Sequence, residues 1–282
     1  MSLATRRPVS RAASFTRGLV SVYRKRDVPF MAGSIAYAAF VSLIPLVALL
    51  VVAASVLGGE ALRQTVVDLT AMHLTPSSQG VVSQSLERAR GSVRLSLVGL
   101  AALLWTVLKV FRSLDTAFST LYDTETNDGL VDRLIDGVVV LGAMSFAVLA
   151  MVGIGAIVAV APTVAPGVET PLPLIRIVGF AVLIVGLTVA FLPMYYVFPD
   201  VEMTVERALP GAVTAALGWT LLQALFQVYV SATSAGELYG VVGGVVLFIT
   251  WLYFGAVVVL LGAATNVVLS GRHRSPGYGA SG

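Results

Sequence analysis

Long apolar runs separated by short charged segments dominate the chain. They cover about residues 30–57, 95–114, 137–161, 175–198, 210–231 and 238–268. A helix needs roughly 20 apolar residues to cross a hydrocarbon layer about 30 Å thick. The last two runs are the clearest, because LPGAVTAALGWTLLQALFQVYV and LYGVVGGVVLFITWLYFGAVVVLLGAATN are almost free of charge. Only Ser231 to Glu237 separate them, a break that permits nothing but a reversal, so the pair predicts a transmembrane helical hairpin. The expected fold class is all-α: a polytopic membrane domain of six transmembrane helices over residues 28–270. A basic tail and interfacial helix over 1–27 precede it, and a flexible tail over 271–282 follows.

Between the runs, polar patterning predicts the rest. Arg6, Arg7, Arg11, Arg17, Arg24, Lys25 and Arg26 alternate with Ala12, Phe15, Leu19 and Val22 at helical spacing. After a disordered stretch to about Ser10, this pattern predicts a helix lying apolar side down on an anionic membrane surface. Thr75 followed by Pro76 has the order of an N-cap and first helical position, so residues 60–94 are expected to hold two short helices. Pro45, in the middle of the first span, removes a backbone hydrogen bond and predicts a kink there. Asp115 to Asp136 is the most acidic segment. Most lysines and arginines fall on the side of the N-terminus, which orients both termini toward the cytoplasm.

Composition strengthens this picture. Hydrophobic residues make up 57% of the 282, and charged residues only 12%, about half the share usual in a soluble domain. Mean hydropathy is +0.91. A net charge of +3 is too small to point to nucleic acid, and none is expected as a partner. The absence of cysteine excludes disulfides, thiolate metal sites and cysteine nucleophiles. The first apolar run begins at Phe30 and is longer than a signal-peptide core, so no cleavable signal is expected.

Few residues carry candidate chemistry. Lys109 lies inside the second span, where a charge is costly and often functional, yet it is also within snorkelling reach of the interface. Gln223 and Gln227 share a stripe with Trp219 and the small residues Ala212 and Ala216. They line a polar cavity or hydrogen-bond a neighbouring helix. Gly240, Gly243, Gly244, Gly255 and Gly262 make the last span a close-packing surface, within the chain or in a homo-oligomer. Asp128, Asp132 and Asp136 fall at four-residue intervals, and their repulsion calls for a bound cation or for the basic N-terminal segment. The second needs no added partner, so no metal is expected. His73 and His273 lie on opposite sides of the membrane, and no phosphate loop, zinc-ligand pair or nucleophile elbow is present. No enzyme constellation and no cofactor follow.

Three motifs in order, AGSIAYAAFVSLIPL, PDVEMTVERALPGA and ELYGVVGGVVLFITWLYFGAVVVLLGAATN, resemble the YihY/BrkB membrane protein family. The likeness runs from about Phe15 to Leu269. It departs at Ser119, where the family usually has asparagine, and at Ala264, where it usually has glutamate. The resemblance implies an integral protein of a prokaryotic cytoplasmic membrane with six helices. Members have carried the label ribonuclease BN, names as virulence or serum-resistance factors, and links to envelope lipid handling. The leading expectation is a membrane protein that moves or handles a lipid or amphipathic molecule, with membrane lipids as its partners. A structural scaffold is the second reading, and a nuclease the third. Tyr37, Ser42, Pro45, Lys109, Gln223, Gln227, Tyr239 and Asn266 are the candidate cavity or gating residues. Pro45 and Pro193 occupy similar places in the two halves, as an inverted repeat would have them.

Overall fold

The computed structural model describes residues 6–57, 93–124, 137–149, 172–232 and 235–271. The expected short helices near Thr75, the acidic trio Asp128, Asp132 and Asp136, both histidines and the C-terminal tail lie outside these. Among the described residues every regular element is a helix: α1 Arg6–Lys25, α2 Val28–Leu57, α3 Val93–Tyr122, α4 Gly137–Leu149, α5 Leu172–Val197, α6 Val205–Ala232 and α7 Ala235–Leu269. Three contain stretches long and apolar enough to cross a membrane: Gly179–Val197 in α5, Val205–Val230 in α6 and Val242–Leu269 in α7. Shorter apolar stretches occupy Val28–Leu43 of α2 and Gly137–Leu149 of α4.

Local chemistry sets the ends. Residues 6–10 are helical rather than disordered, because Pro8 falls in the first turn, where its missing N–H has no intrahelical partner to lose. Arg26 and Asp27 turn the chain between α1 and α2, and the Asp27 carbonyl accepts the N–H groups of Phe30 and Met31. α3 runs on past Leu114 to Tyr122, so Asp115 belongs to a helix and not to an acidic loop. The reason is periodic burial: Phe111, Leu114, Asp115, Phe118, Leu121 and Tyr122 recur on one face, and all are buried. The helix stops at Asp123 in the left-handed region (φ 48° at Asp27, 60° here), with the Thr124 N–H closing onto the Ser119 carbonyl. α6 starts at Val205, earlier than its apolar run, because the Thr204 carbonyl accepts the first turn's N–H groups and Glu206 suits the positive helix end. Gly271, at φ 75°, ends α7.

The chain forms two compact units, Tyr37–Val110 and the remainder. In the remainder α5 packs on α6, α6 on α7, and α1 on α7. Phe118 anchors an aromatic core, with ring centroids 5.8 Å from Tyr195, 5.5 Å from Phe198 and 6.5 Å from Tyr122. The helices otherwise expose many large apolar side chains, Phe146, Val185, Leu225 and Val246 among them. Apolar surface of that extent needs lipid or protein to cover it.

Candidate functional site

α6 and α7 form an antiparallel pair that packs backbone to backbone at one end and lines an apolar groove toward the other. At the tight end two glycines face each other. A Cβ on Gly211 would lie 2.7 Å from the Gly262 carbonyl oxygen, and one on Gly262 would lie 2.6 Å from that of Gly211 and against the Tyr195 hydroxyl. No side chain fits there, so the backbones meet. Asn266 uses this closeness. Its Oδ1 accepts the Gly211 N–H at 2.7 Å, and its Nδ2 donates to the Ala208 carbonyl at 3.3 Å. Tyr195, fully buried on α5, donates its hydroxyl to the Val259 carbonyl at 2.7 Å. Three helices are thereby fastened through polar groups that would otherwise be orphaned in an apolar interior.

One step along the pair, Gly218 faces Val258 and Gly255 receives the edge of Trp219. Next, Trp251 donates its indole N–H to the Gln223 side-chain oxygen at 3.0 Å. Its ring packs edge-on to Trp219 at 5.4 Å and stacks on Phe248 at 5.9 Å. Around Trp251 and toward the hairpin turn both helices line a groove of about 640 Å³, with Leu225, Phe226, Tyr229, Val242, Val246 and Phe254 in its wall. A second groove, about 890 Å³, lies between α4 and α5 and includes Phe146, Val185, Pro193 and Tyr196. Both are lined almost wholly by hydrocarbon.

The residues singled out from sequence do not converge on one place. Asn266 and Gln223 are interhelical fasteners, while Gln227 is exposed on the outside of α6. Tyr239 lies in the early turns of α7, its side chain outside the described residues. The other four belong to the unit 37–110. Tyr37 is exposed, Ser42 donates to the Ala39 carbonyl of its own helix, and α2 continues through Pro45. Lys109 is exposed, with its ammonium 5.7 Å from the Trp105 ring centroid, a cation–π contact. Sequence reasoning missed Tyr195 and the pairing of Ser119, whose hydroxyl donates to Asp200 at 3.1 Å. Tyr195 follows Pro193 near the end of a span, a place where a hydroxyl must find a partner, and that was the available signal.

Among the described residues, one ion pair joins the end of α3 to the basic N-terminal segment. Arg26 donates to Asp123 at 2.8 Å, both side chains being partly exposed. The hydrogen bond from Arg26, and then its charge, hold the Asp123 carboxyl below its ordinary value of 3.8. Among the described residues no three His, Cys, Asp or Glu side chains gather as metal ligands would. Ala264, in the place where the resemblance expects glutamate, is fully buried beside the Asn266 turn.

Relatives agree with the membrane character. The chain is 25% identical over 203 residues to the ribonuclease-like protein YfkH of Bacillus subtilis, covering 70% of this chain and 73% of that protein. It is 26% identical over 270 residues to a UPF0761 membrane protein of Psychrobacter sp., covering 91% of this chain but 48% of the relative. A UPF0761 membrane protein of Pseudoalteromonas translucida is 24% identical over 247 residues, with 85% and 80% covered. The chain therefore spans only about half the length of some proteins it matches. No solved structure matches it. The family profile described as Virulence factor BrkB matches residues 19–280, and a match of that extent places this chain in the BrkB family of membrane proteins.

Proposed function

We propose that the chain is a non-enzymatic, multi-pass protein of a prokaryotic cytoplasmic membrane that handles a lipid or another amphipathic molecule. In this reading α2 to α7 supply six spans and both termini face the cytoplasm. The observation that carries it is the α6–α7 pair: fastened by Gly211, Gly262 and Asn266 at one end, and lining an apolar groove toward the other. With the termini inside, the fastened end lies at the cytoplasmic leaflet and the groove opens toward the outer one. An acyl chain matches a lining of Leu, Val and Phe side chains, whereas an ion would find no opposite charge there and a sugar few hydrogen-bond partners.

A scaffold reading draws on the same fastener, since Gln223 and Asn266 are engaged in packing. The ribonuclease-like name of the Bacillus relative belongs to that protein, and here no described constellation supports such chemistry. The reading is tested by reconstituting the protein in liposomes that hold a trace of fluorescent phospholipid and adding a membrane-impermeant quencher. Signal loss beyond the outer half, absent from protein-free liposomes, is the expected result. Loss confined to the outer half favours the scaffold.

A further inference from the structure

The amphipathic helix α1 does not use its apolar stripe in the manner expected from its sequence. Gly18 and Val22 are buried, and Phe15 and Leu19 are half-buried beside them. α1 packs on α7, so this stripe is taken up by the protein. The opposite stripe consists of Ala13, Arg17, Val20 and Arg24, at intervals of four, three and four residues, with Lys25 next to it. All five are exposed. No acidic residue occurs anywhere in α1. Arg26 is engaged by Asp123 and does not belong to the set. Asp27 is the exposed carboxylate nearest in sequence, just past the end of the helix. Two residues separate α1 from α2, and Phe30, in the first turn of α2, is 81% exposed. The basic stripe therefore sits where the chain enters the hydrocarbon.

We propose that the outward face of α1 is a recognition surface for the headgroups of anionic phospholipids in the cytoplasmic leaflet, with Arg17, Arg24 and Lys25 as the recognising cations. Because the apolar stripe is engaged by α7, attachment runs through charge rather than through insertion among the acyl chains. Three exposed cations, with no acidic residue in their own helix, complement a surface of net negative charge and not a zwitterionic one. Such contacts are screened by salt over a Debye length of about 8–10 Å. The proposal rests on membrane embedding with a cytoplasmic N-terminus, and it stands whether or not lipid crosses the bilayer.

The test is the selectivity of the reconstituted full chain for spin-labelled phosphatidylglycerol over spin-labelled phosphatidylcholine, read from the motionally restricted fraction of each by electron paramagnetic resonance. The wild type is expected to hold the anionic label preferentially. Raising the salt to roughly 0.5 M, where the Debye length shortens to a few ångströms, is expected to erase most of that preference. The triple variant Arg17→Gln/Arg24→Gln/Lys25→Gln is expected to lower it by about fivefold or more, the effect of at least one basic side chain near an anionic surface. Arg24→Lys keeps the charge and is expected to keep the preference, which separates charge from an effect on folding. Equal retention of both lipids by the wild type overturns the proposal, as does a triple variant that retains the preference.

Discussion

Gly211 and Gly262 meet backbone to backbone, and the consequence for single substitutions is direct. Gly262→Ala places a methyl against the Tyr195 hydroxyl and the Gly211 carbonyl, neither of which lies at the end of a flexible chain. A loss of about 1–3 kcal/mol is expected, as for other overpacked sites, read as a lower unfolding midpoint in detergent. Gly244→Ala in the same helix meets nothing within 4 Å and is expected to be neutral or slightly stabilising. Asn266→Ala leaves the Gly211 N–H and the Ala208 carbonyl to find new partners, at a cost of about 1–2 kcal/mol. Thermal unfolding of the purified variants checks all three. At this scale the sequence pointed to partners for Gln223, Gln227 and Asn266; Gln223 and Asn266 have them, while Gln227 is exposed. The sequence did not show which partners. Trp251 lies 28 residues from Gln223, and Gly211 lies 55 from Asn266, separations that only the pairing of the two helices resolves.

For the elements, apolar length marked the three stretches long enough to cross a membrane, Gly179–Val197, Val205–Val230 and Val242–Leu269, and the errors at helix ends have a common cause. Hydropathy sees what lipid would accept, whereas helix ends are decided by caps and by neighbours. α3 was cut at Asp115 because a carboxylate normally ends an apolar run, yet that residue is carried inside by the face that runs from Phe111 to Tyr122. α7, at 35 residues, extends to about 50 Å, well beyond the hydrocarbon thickness. Its buried end from Ala263 to Val268 belongs to the protein interior, and α1 packs on this helix. The Arg26–Asp123 pair links the α1–α2 turn to the end of α3. Since the Asp123 carboxyl is held below 3.8, the pair's contribution is complete above that value and is lost as pH falls through the lowered one. An exposed pair of this kind is worth about 0.2–1 kcal/mol, so the change is modest. Asp123→Asn is expected to reproduce the low-pH state at neutral pH. The chain has no cysteine, which allows spin labels at Val20→Cys and Ser270→Cys to report it. A broader distance distribution in Asp123→Asn than in the parent is the expected outcome, and identical distributions would show that the pair does not hold α1.

Over the whole molecule, the topology we propose, six spans with cytoplasmic termini, puts Thr16 and Ser270 inside and Ser78 and Ser234 outside. Single cysteines at these positions are expected to react with a membrane-impermeant maleimide from the corresponding side only. Labelling of both termini from outside would invert the topology, and with it the leaflet assigned to the α6–α7 groove. The working surface we propose is this apolar groove and not a polar path along α6. Val246, exposed in the groove wall, is the position where a large side chain fills the space without entering the packed end. The deciding measurement is the rate of fluorescent-phospholipid translocation in liposomes for wild type, Val246→Trp and Gln227→Ala, all with matched unfolding midpoints. Slow translocation in Val246→Trp and an unchanged rate in Gln227→Ala are the results expected of a working groove. The reverse pattern, or an unimpaired Val246→Trp, would contradict it.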